Sequence, residues 1–210
     1  MLEFLIAQPW AWHNAGEPWS YSENEEIRRY EVRAGDHWLT EKAERSERFS
    51  HPWDSGKDIL LSYEFKVEAG AANTAQWVLI GQFHATADPG EKDWSPPLSV
   101  ELEGELMRIG IRSSDERITT SNPEMEILWR DTQPLQRNVW YQMEMRIRFS
   151  TKGDGLMQVR RNGNLIIDRP VSVGYLDDEG PYWKEGIYRS AAPEELAVQY
   201  RNLSIGYAPG

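Results

Sequence analysis

The chain has 210 residues, a length that a single all-β domain commonly reaches, and we expect residues 1–210 to form one domain. Its 23 basic and 34 acidic residues leave a formal net charge of −11, which excludes a fold-wide basic surface for nucleic acid or anionic membranes. The absence of cysteine excludes disulfides, thiolate metal sites and cysteine nucleophiles, and no apolar stretch approaches the roughly 20 residues that span a bilayer. Residues 1–6 lack the basic and long apolar regions of a signal peptide.

The hydrophobic pattern alternates with a period of two residues along most of the chain, which predicts β-strands. In chain order, strands are predicted at residues 61–68, 77–81, 106–112, 141–149, 156–160, 164–168, 183–189 and 196–205. Loops rich in Pro, Asp and Gly are predicted at residues 87–97, 150–155 and 177–181. Asn162-Gly163 stands between two strands and predicts a hairpin with a type I′ turn, because that turn needs two residues with positive φ.

Helical periodicity is confined to residues 23–29 and 40–47, and the second segment is equally compatible with a strand. Many antiparallel strands with long loops predict an all-β, two-sheet antiparallel β-sandwich of the jelly-roll, concanavalin-like type. The ten Trp, nine Tyr and five Phe suit such a core, and flat rings also suit contact with sugars. Alternation predicts that seven side chains point into the core: Tyr63, Phe65, Val78, Ile80, Met143, Met145 and Ile147.

Two polar residues end the apolar strand that begins at Trp77. Strand periodicity places Gln82 and His84 on one face, with Phe83 on the other. One interpretation is a hydrogen-bonded core histidine at a strand end. The other is a catalytic base beside an amide donor on the concave face of a sheet.

A second polar row lies near the C-terminus, where Tyr182, Lys184, Gly186 and Tyr188 share a strand face. The row could face a ligand, with Gly186 leaving room for its close approach, or it could be a solvated outer face. Further upstream, Arg45 and Arg48 flank Glu47, so that either arginine could be paired by a neighbouring glutamate.

No metal or cofactor is required by the sequence, because His13, His37, His51 and His84 are scattered without ligand spacing. No hydride-cofactor motif, phosphate-binding loop or nucleophilic serine motif is present either. The acidic residues 177–179 could hold Ca²⁺, but solvated charge is the favoured interpretation.

Several short motifs occur together in a defined order between about residues 45 and 205. Gln82-Phe83-His84 resembles the Gln-x-His motif of polysaccharide lyases with a β-jelly-roll fold, and residues 182–188 resemble their Tyr-x-Lys-x-Gly-x-Tyr motif. Arg45-Ser46-Glu47 is similar to an Arg-Ser/Thr-Glu element of alginate lyases. The segments at residues 95–98, 140–141, 153–155 and 162–163 are closer to the heparin lyase I-like branch.

The resemblance implies cleavage of a uronic-acid-containing polysaccharide by β-elimination. It makes Gln82, His84, Tyr188 and Arg45 the candidate catalytic residues, with Tyr188 as acid and either His84 or Tyr188 as base. The candidate substrate-binding residues are Arg48, Lys184, Tyr182 and Arg160. Arg160 stands where the heparin-lyase-like sequences often carry an aromatic residue, so it departs from the family pattern. A polymeric substrate favours an extracellular or phage-particle setting.

Two other functions remain open from the sequence. A non-catalytic carbohydrate-binding or lectin-like sandwich would account for the fold and the aromatic residues, but it gives no reason to assemble Gln82, His84, Lys184 and Tyr188. A retaining glycoside hydrolase could use Glu124 and Glu126, because i, i+2 neighbours on a strand can approach the roughly 5 Å carboxylate separation that retention requires.

Overall fold

Fourteen β-strands and no helix make up the secondary structure of the part of the chain that the computed structural model describes, residues 10–209. The segment considered for a leader, residues 1–6, lies outside the described residues. The strands are β1 (Ala11–Asn14), β2 (Tyr21–Glu23), β3 (Arg28–Val32), β4 (Glu44–Pro52), β5 (Asp58–Val67), β6 (Val78–His84), β7 (Leu98–Glu103), β8 (Leu106–Ile111), β9 (Glu126–Arg130), β10 (Tyr141–Arg148), β11 (Ser150–Arg161), β12 (Asn164–Val173), β13 (Tyr182–Arg189) and β14 (Leu196–Tyr207). Within these residues, no helix of membrane-spanning length and apolarity is found.

The strands form two antiparallel sheets of seven. Sheet A has the order β1-β4-β13-β6-β7-β8-β9, and sheet B has the order β12-β11-β10-β5-β14-β3-β2. β13 lies between β4 and β6 near the middle of sheet A, although it is distant from both in sequence. This arrangement brings the three predicted polar segments of the sequence onto adjacent strands. The two-sheet sandwich confirms the predicted fold class.

The core lies between the two sheets. All seven side chains that alternation predicted to point inward are buried there: Tyr63, Phe65, Val78, Ile80, Met143, Met145 and Ile147. Trp183, with no exposed surface, packs between Phe83 of its own sheet and Tyr63 of the opposite sheet, at ring-centroid distances of 5.3 and 5.4 Å. Such aromatic packing removes a large apolar area from water and fixes the spacing of the sheets.

The hairpin prediction is confirmed, because Asn162 and Gly163 both have positive φ, at 50° and 75°. The loop predicted at residues 150–155 is wrong, since β11 already starts at Ser150. These residues form a bulge within β11, where the register of the pairing with β12 shifts between Ser150 and Gly155. Of the two weak helical segments, residues 23–29 run from β2 into β3, and residues 40–47 end in β4.

Candidate active site

The polar residues singled out in the sequence meet on the outer face of sheet A. Register pairs Tyr188 of β13 with Arg45 of β4, and Lys184 of β13 with Gln82 of β6. Tyr182 pairs with His84, the last residue of β6. Directly opposed residues on adjacent strands point to the same side of a sheet, so these side chains form one polar surface.

This surface is unusually buried for polar groups. Gln82 is fully buried, Lys184 is 2% exposed, Arg45 is 6% exposed and His84 is 7% exposed. Burying charged groups is costly unless they are paired and hydrogen-bonded. The site is therefore described by the ion pairs and hydrogen bonds that offset the cost of this burial.

Glu47 lies at the centre of the surface, and the sequence indicated it only as a partner for arginine and as the last residue of the Arg45-Ser46-Glu47 element. Its Oε1 accepts a hydrogen bond of 2.6 Å from Gln82 Nε2. Its Oε2 lies 3.4 Å from Arg45 Nε and 4.0 Å from Lys184 Nζ. One buried carboxylate thus contacts three of the predicted site residues.

His13, on the edge strand β1, also enters the site and was not predicted. Its Nδ1 lies 3.3 Å from Arg45 Nη1 and 3.4 Å from Lys184 Nζ. Both partners are donors, so Nδ1 accepts and the ring is neutral. Burial and the nearby cations lower the pKa of His13 to about 3, and its ring stacks on Trp38 at 3.8 Å. No local sequence signal places β1 beside β4, because that pairing is non-local.

The guanidinium of Arg45 lies over the ring of Tyr188, with Cζ 3.7 Å from the ring centroid. A second carboxylate, Glu41, pairs with Arg45 Nη1 at 3.1 Å. Burial raises the pKa of the Tyr188 hydroxyl, and the positive charge of Arg45 opposes that rise. The hydroxyl is therefore protonated at neutral pH and lies next to a cation.

His84 is held in one tautomer. Its Nδ1 donates to the carbonyl oxygen of Ala85 at 3.0 Å, which leaves the lone pair on Nε2. The carboxylate of Asp93 lies 3.6 Å from the same Nδ1. Burial and the charge of Lys184 lower the pKa of His84, so the ring is neutral at pH 7 and Nε2 can accept a proton.

Lys184 has its ammonium near two aromatic rings, 5.5 Å from the centroid of Tyr182 and 5.8 Å from that of Phe49. Burial lowers its pKa, and the charge of Glu47 counteracts that effect. Tyr182 in turn lies 5.6 Å from the ring of His84. Contacts thus run continuously from Tyr188 through Arg45, His13 and Lys184 to His84.

Arg48 does not join this surface. It lies three residues from Arg45 on β4 and so points to the inner face of sheet A. There its Nε donates to Glu185 at 2.9 Å, and Glu185 also accepts from Arg28 and Tyr30 of sheet B. The expectation that Arg48 binds substrate is corrected by this position, because its guanidinium belongs to a buried contact between the sheets.

Arg160 also lies outside the polar surface of sheet A. It lies on β11 of sheet B, is exposed, and donates to the carbonyl of Gly163 at 3.2 Å. Its side chain lines a groove of about 440 Å³ on the outer face of sheet B. Arg160 and Lys184 are on different sheets, so Arg160 lies apart from the polar surface of sheet A, and its role in binding substrate stays a prediction.

Gly186 has a different role from the one predicted. A Cβ at this position would collide with the backbone of Ser46 and Glu47, and its φ of +131° disfavours other residues. The glycine therefore permits close approach of β13 to β4 at a register shift in the sheet. The space beside it is occupied by the backbone of β4 and the ring of Tyr30.

The two glutamates considered for a retaining hydrolase lie at the β9 edge of sheet A. Glu124 precedes β9, whereas Glu126 is its first residue and pairs with Arg169 of sheet B at 2.6 Å. Both partners of that ion pair are about half exposed. The pair connects the edges of the two sheets.

One acidic cluster in the described part of the chain could hold a cation. The carboxylates of Asp88, Glu91 and Asp177 offer ligand atoms within 4.8 Å of one another. Of the predicted acidic segment 177–179, only Asp177 takes part. The cluster joins the loop after β6 to the loop before β13, and Arg117 already pairs with Asp88.

The chain was compared with protein families and with curated protein sequences. A family model described as polysaccharide lyase matches residues 8–204. No curated protein sequence matches the chain.

Several solved structures share the fold. The endo-β-1,4-glucuronan lyase of the fungus Trichoderma reesei has a TM-score of 0.73 at 12% identity, over 96% of this chain and 88% of that chain. A family 7 alginate lyase in complex with its substrate GGMG has a TM-score of 0.66 at 13% identity, over 91% and 82% of the two chains. An alginate lyase from Pseudomonas aeruginosa has a TM-score of 0.63 at 15% identity, over 92% and 88%. At these identities the similarity shows a common fold.

Proposed function

This chain belongs to the polysaccharide lyase family, and from that membership we propose that it cleaves a uronic-acid-containing polysaccharide by β-elimination on the outer face of sheet A. Structures of the same fold are named as lyases of glucuronan and of alginate, two polymers that carry a carboxylate on every sugar. The shared requirement of such substrates is a site that binds a carboxylate and moves protons beside it.

Elimination removes the proton on C5, next to the carboxylate of the uronate. Negative charge then builds up on the carboxylate oxygens, and preorganised donors that meet this charge supply a large part of catalysis. Arg45 offers a planar guanidinium that matches a carboxylate, and Gln82 offers an amide N–H. Gln82 Nε2 donates one N–H to Glu47 and retains the second for substrate.

The proton transfers are assigned to His84 and Tyr188. His84 Nε2 takes the C5 proton, the C4–O4 bond breaks, and a double bond forms between C4 and C5. The Tyr188 hydroxyl donates its proton to the departing O4. The neutral state of His84 and the protonated state of Tyr188, both favoured by burial, match these roles. For the opposite C5 epimer, Tyr188 serves as both base and acid.

Lys184 and Tyr182 bind the sugar chain in this proposal. The ammonium of Lys184 lies between the phenol of Tyr182 and Glu47, where it can meet a second polar group of the substrate. The proposal rests chiefly on one observation. Arg45, Gln82, His84 and Lys184 are all less than 10% exposed on a single sheet face. Contacts through Glu47 and His13 link Arg45, Gln82 and Lys184, and the ring of Tyr182 lies between Lys184 and His84.

The test is incubation of the purified protein with glucuronan, alginate and heparin, while ultraviolet absorbance is recorded. A double bond conjugated to the carboxylate absorbs in the ultraviolet, so a lyase produces absorbance together with new reducing ends. We expect one of these polymers to give both signals, and we expect His84→Ala protein to give neither.

Two outcomes would overturn the proposal. New reducing ends without absorbance would indicate a hydrolase. Retention of a polymer on the protein without any cleavage would indicate a carbohydrate-binding module.

A further inference from the structure

Glu47 is a buried anion in a site that must accept another anion. It is 1% exposed, and no step of the proposed elimination uses it. Its charge opposes binding of a uronate, because like charges repel strongly where water is excluded. A residue that weakens substrate binding in this way needs a compensating role, and its contacts point to one.

The contact with Gln82 is specific to one end of the amide. A carboxylate only accepts hydrogen bonds, so Glu47 Oε1 can be satisfied by Gln82 Nε2 and not by its carbonyl oxygen. Gln82 Oε1 is buried and has no hydrogen-bond partner among residues 10–209. Without Glu47, rotation of the amide would allow Oε1 to reach a donor and would present the wrong end to the substrate.

We propose that Glu47 is a positioning residue that fixes the orientation of the Gln82 amide, so that an N–H faces the substrate carboxylate. This inference rests on the function proposed above. Glu47 also lies against Arg45 and Lys184, and it balances two cations that would otherwise repel each other in a buried space.

The decisive experiment is a double-mutant cycle of Glu47→Gln and Gln82→Ala, measured as kcat and KM on a polymer that the wild-type protein cleaves. The amide in Glu47→Gln keeps the shape of the side chain but can pair with either end of Gln82. We expect kcat to fall by up to about 10²-fold, as small misplacements at active sites do, while KM stays the same or decreases. The double variant should be no slower than Gln82→Ala alone.

A second readout is the pH profile of kcat/KM. The charge of Glu47 raises the pKa of His84, the proposed base, of Tyr188, the proposed acid, and of Lys184, so its removal lowers all three pKa values. Both limbs of the profile should therefore move to lower pH in Glu47→Gln. The other charged and titratable groups that face Lys184 stay unchanged in this variant: Arg45 on β4, Glu41 before β4, His13 on β1, His84 on β6, Asp93 after β6 and Tyr182 on β13.

Glu44→Gln is the matched control. Glu44 is on the same strand, is also 1% exposed, and pairs with Arg189 at 2.7 Å on the inner face. This variant should lower the melting temperature without moving the pH profile. A purely structural role for Glu47 predicts the same behaviour for both variants.

Two results would overturn the inference. Additive losses in the double-mutant cycle would mean that Glu47 does not act through Gln82. An unmoved pH profile in folded Glu47→Gln protein would mean that its charge is not felt by Lys184 or His84. If the wild-type protein cleaves no uronate polymer, the proposed function itself fails, and this result is seen before any variant is made.

Discussion

The outer faces of the two sheets carry similar charged residue types, but these residues are buried on sheet A and exposed on sheet B. On sheet A, Arg45, Glu47 and Lys184 are buried and share partners. On sheet B, Glu144, Arg146 and Arg160 lie among exposed residues that line a groove of about 440 Å³. A second groove of about 430 Å³ lies beside the first, also on sheet B. Neither groove therefore lies on the face that carries the buried polar residues.

The two faces differ in the free energy needed to bring their charged groups together in the folded protein. Exposed ion pairs contribute little to stability and are screened by salt, so the face of sheet B needs no special arrangement. Buried charges need partners in good geometry, and sheet A supplies them from β1, β4, β6 and β13 together. Charges held ready in a place with little water interact strongly with a substrate, which is the property that catalysis uses.

The largest effect is expected at Tyr188, the proposed acid on the outer face of sheet A. Tyr188→Phe keeps the ring under Arg45 and its packing against Trp77, with ring centroids 4.8 Å apart, and removes only the hydroxyl. Turnover should fall by roughly 10²–10⁴-fold, the contribution of a positioned acid, while the melting temperature changes little. Rates of product formation and a thermal melt provide the check. Folded Tyr188→Phe protein with near wild-type turnover would remove Tyr188 from the acid role.

The two arginines of β4 offer a direct comparison between the faces of one strand. Arg48→Ala should lower the free energy of unfolding by about 1–3 kcal/mol, because Glu185 then loses one of its buried donors. Arg45→Ala should instead lower kcat/KM, since its guanidinium faces the outer surface of sheet A. Denaturant titrations and kinetics on both variants separate the effects. Equal losses of activity per folded molecule would contradict this division.

The example of these arginines also shows what the sequence could predict. Alternation predicted the core residues of β5 and β10, because those strands bury one face and leave the other partly exposed. β6 is buried along its whole length and β13 along most of it, so there the period of two assigned residues to faces without a contrast in burial. Residues 40–47 were ambiguous between helix and strand. Residues three apart share a face of a helix but lie on opposite faces of a strand, so Arg45 and Arg48 could not be distinguished.

The rest of the site depends on which strands become neighbours. Tyr182, Lys184, Gln82 and His84 were found because each pair is local in sequence. His13 was missed because β1 is four residues long and its pairing with β4 spans more than thirty residues. A short edge strand has no sequence pattern that indicates which strand it pairs with. The entropic cost of closing a loop changes slowly with its length, so it does not favour one neighbouring strand over another.

A smaller effect is expected in the acidic loop cluster, outside both sheet faces. Burial and the charges of Glu91 and Asp88 raise the pKa of Asp177 from 3.8 to about 7. The folded state therefore binds more protons than the unfolded state between these values, and stability falls as the pH rises through that window. Asp177→Asn should raise the melting temperature by a few degrees at pH 8 and leave it nearly unchanged at pH 4. Asp178→Asn is the control, because Asp178 is exposed and faces Arg117; a similar gain there would contradict the assignment to Asp177.

The smallest effect is expected on the outer face of sheet B. Arg160 is exposed, and the only hydrogen bond of its side chain to a described residue is to the carbonyl of Gly163. Arg160→Ala should change the free energy of unfolding by no more than about 0.5 kcal/mol, as surface substitutions generally do. Its turnover and KM should match those of the wild-type protein, because Lys184 and Gln82 are on the other sheet. A raised KM with normal stability would mean that the polymer also contacts sheet B, and the contrast between the two faces would then describe two binding surfaces instead of one.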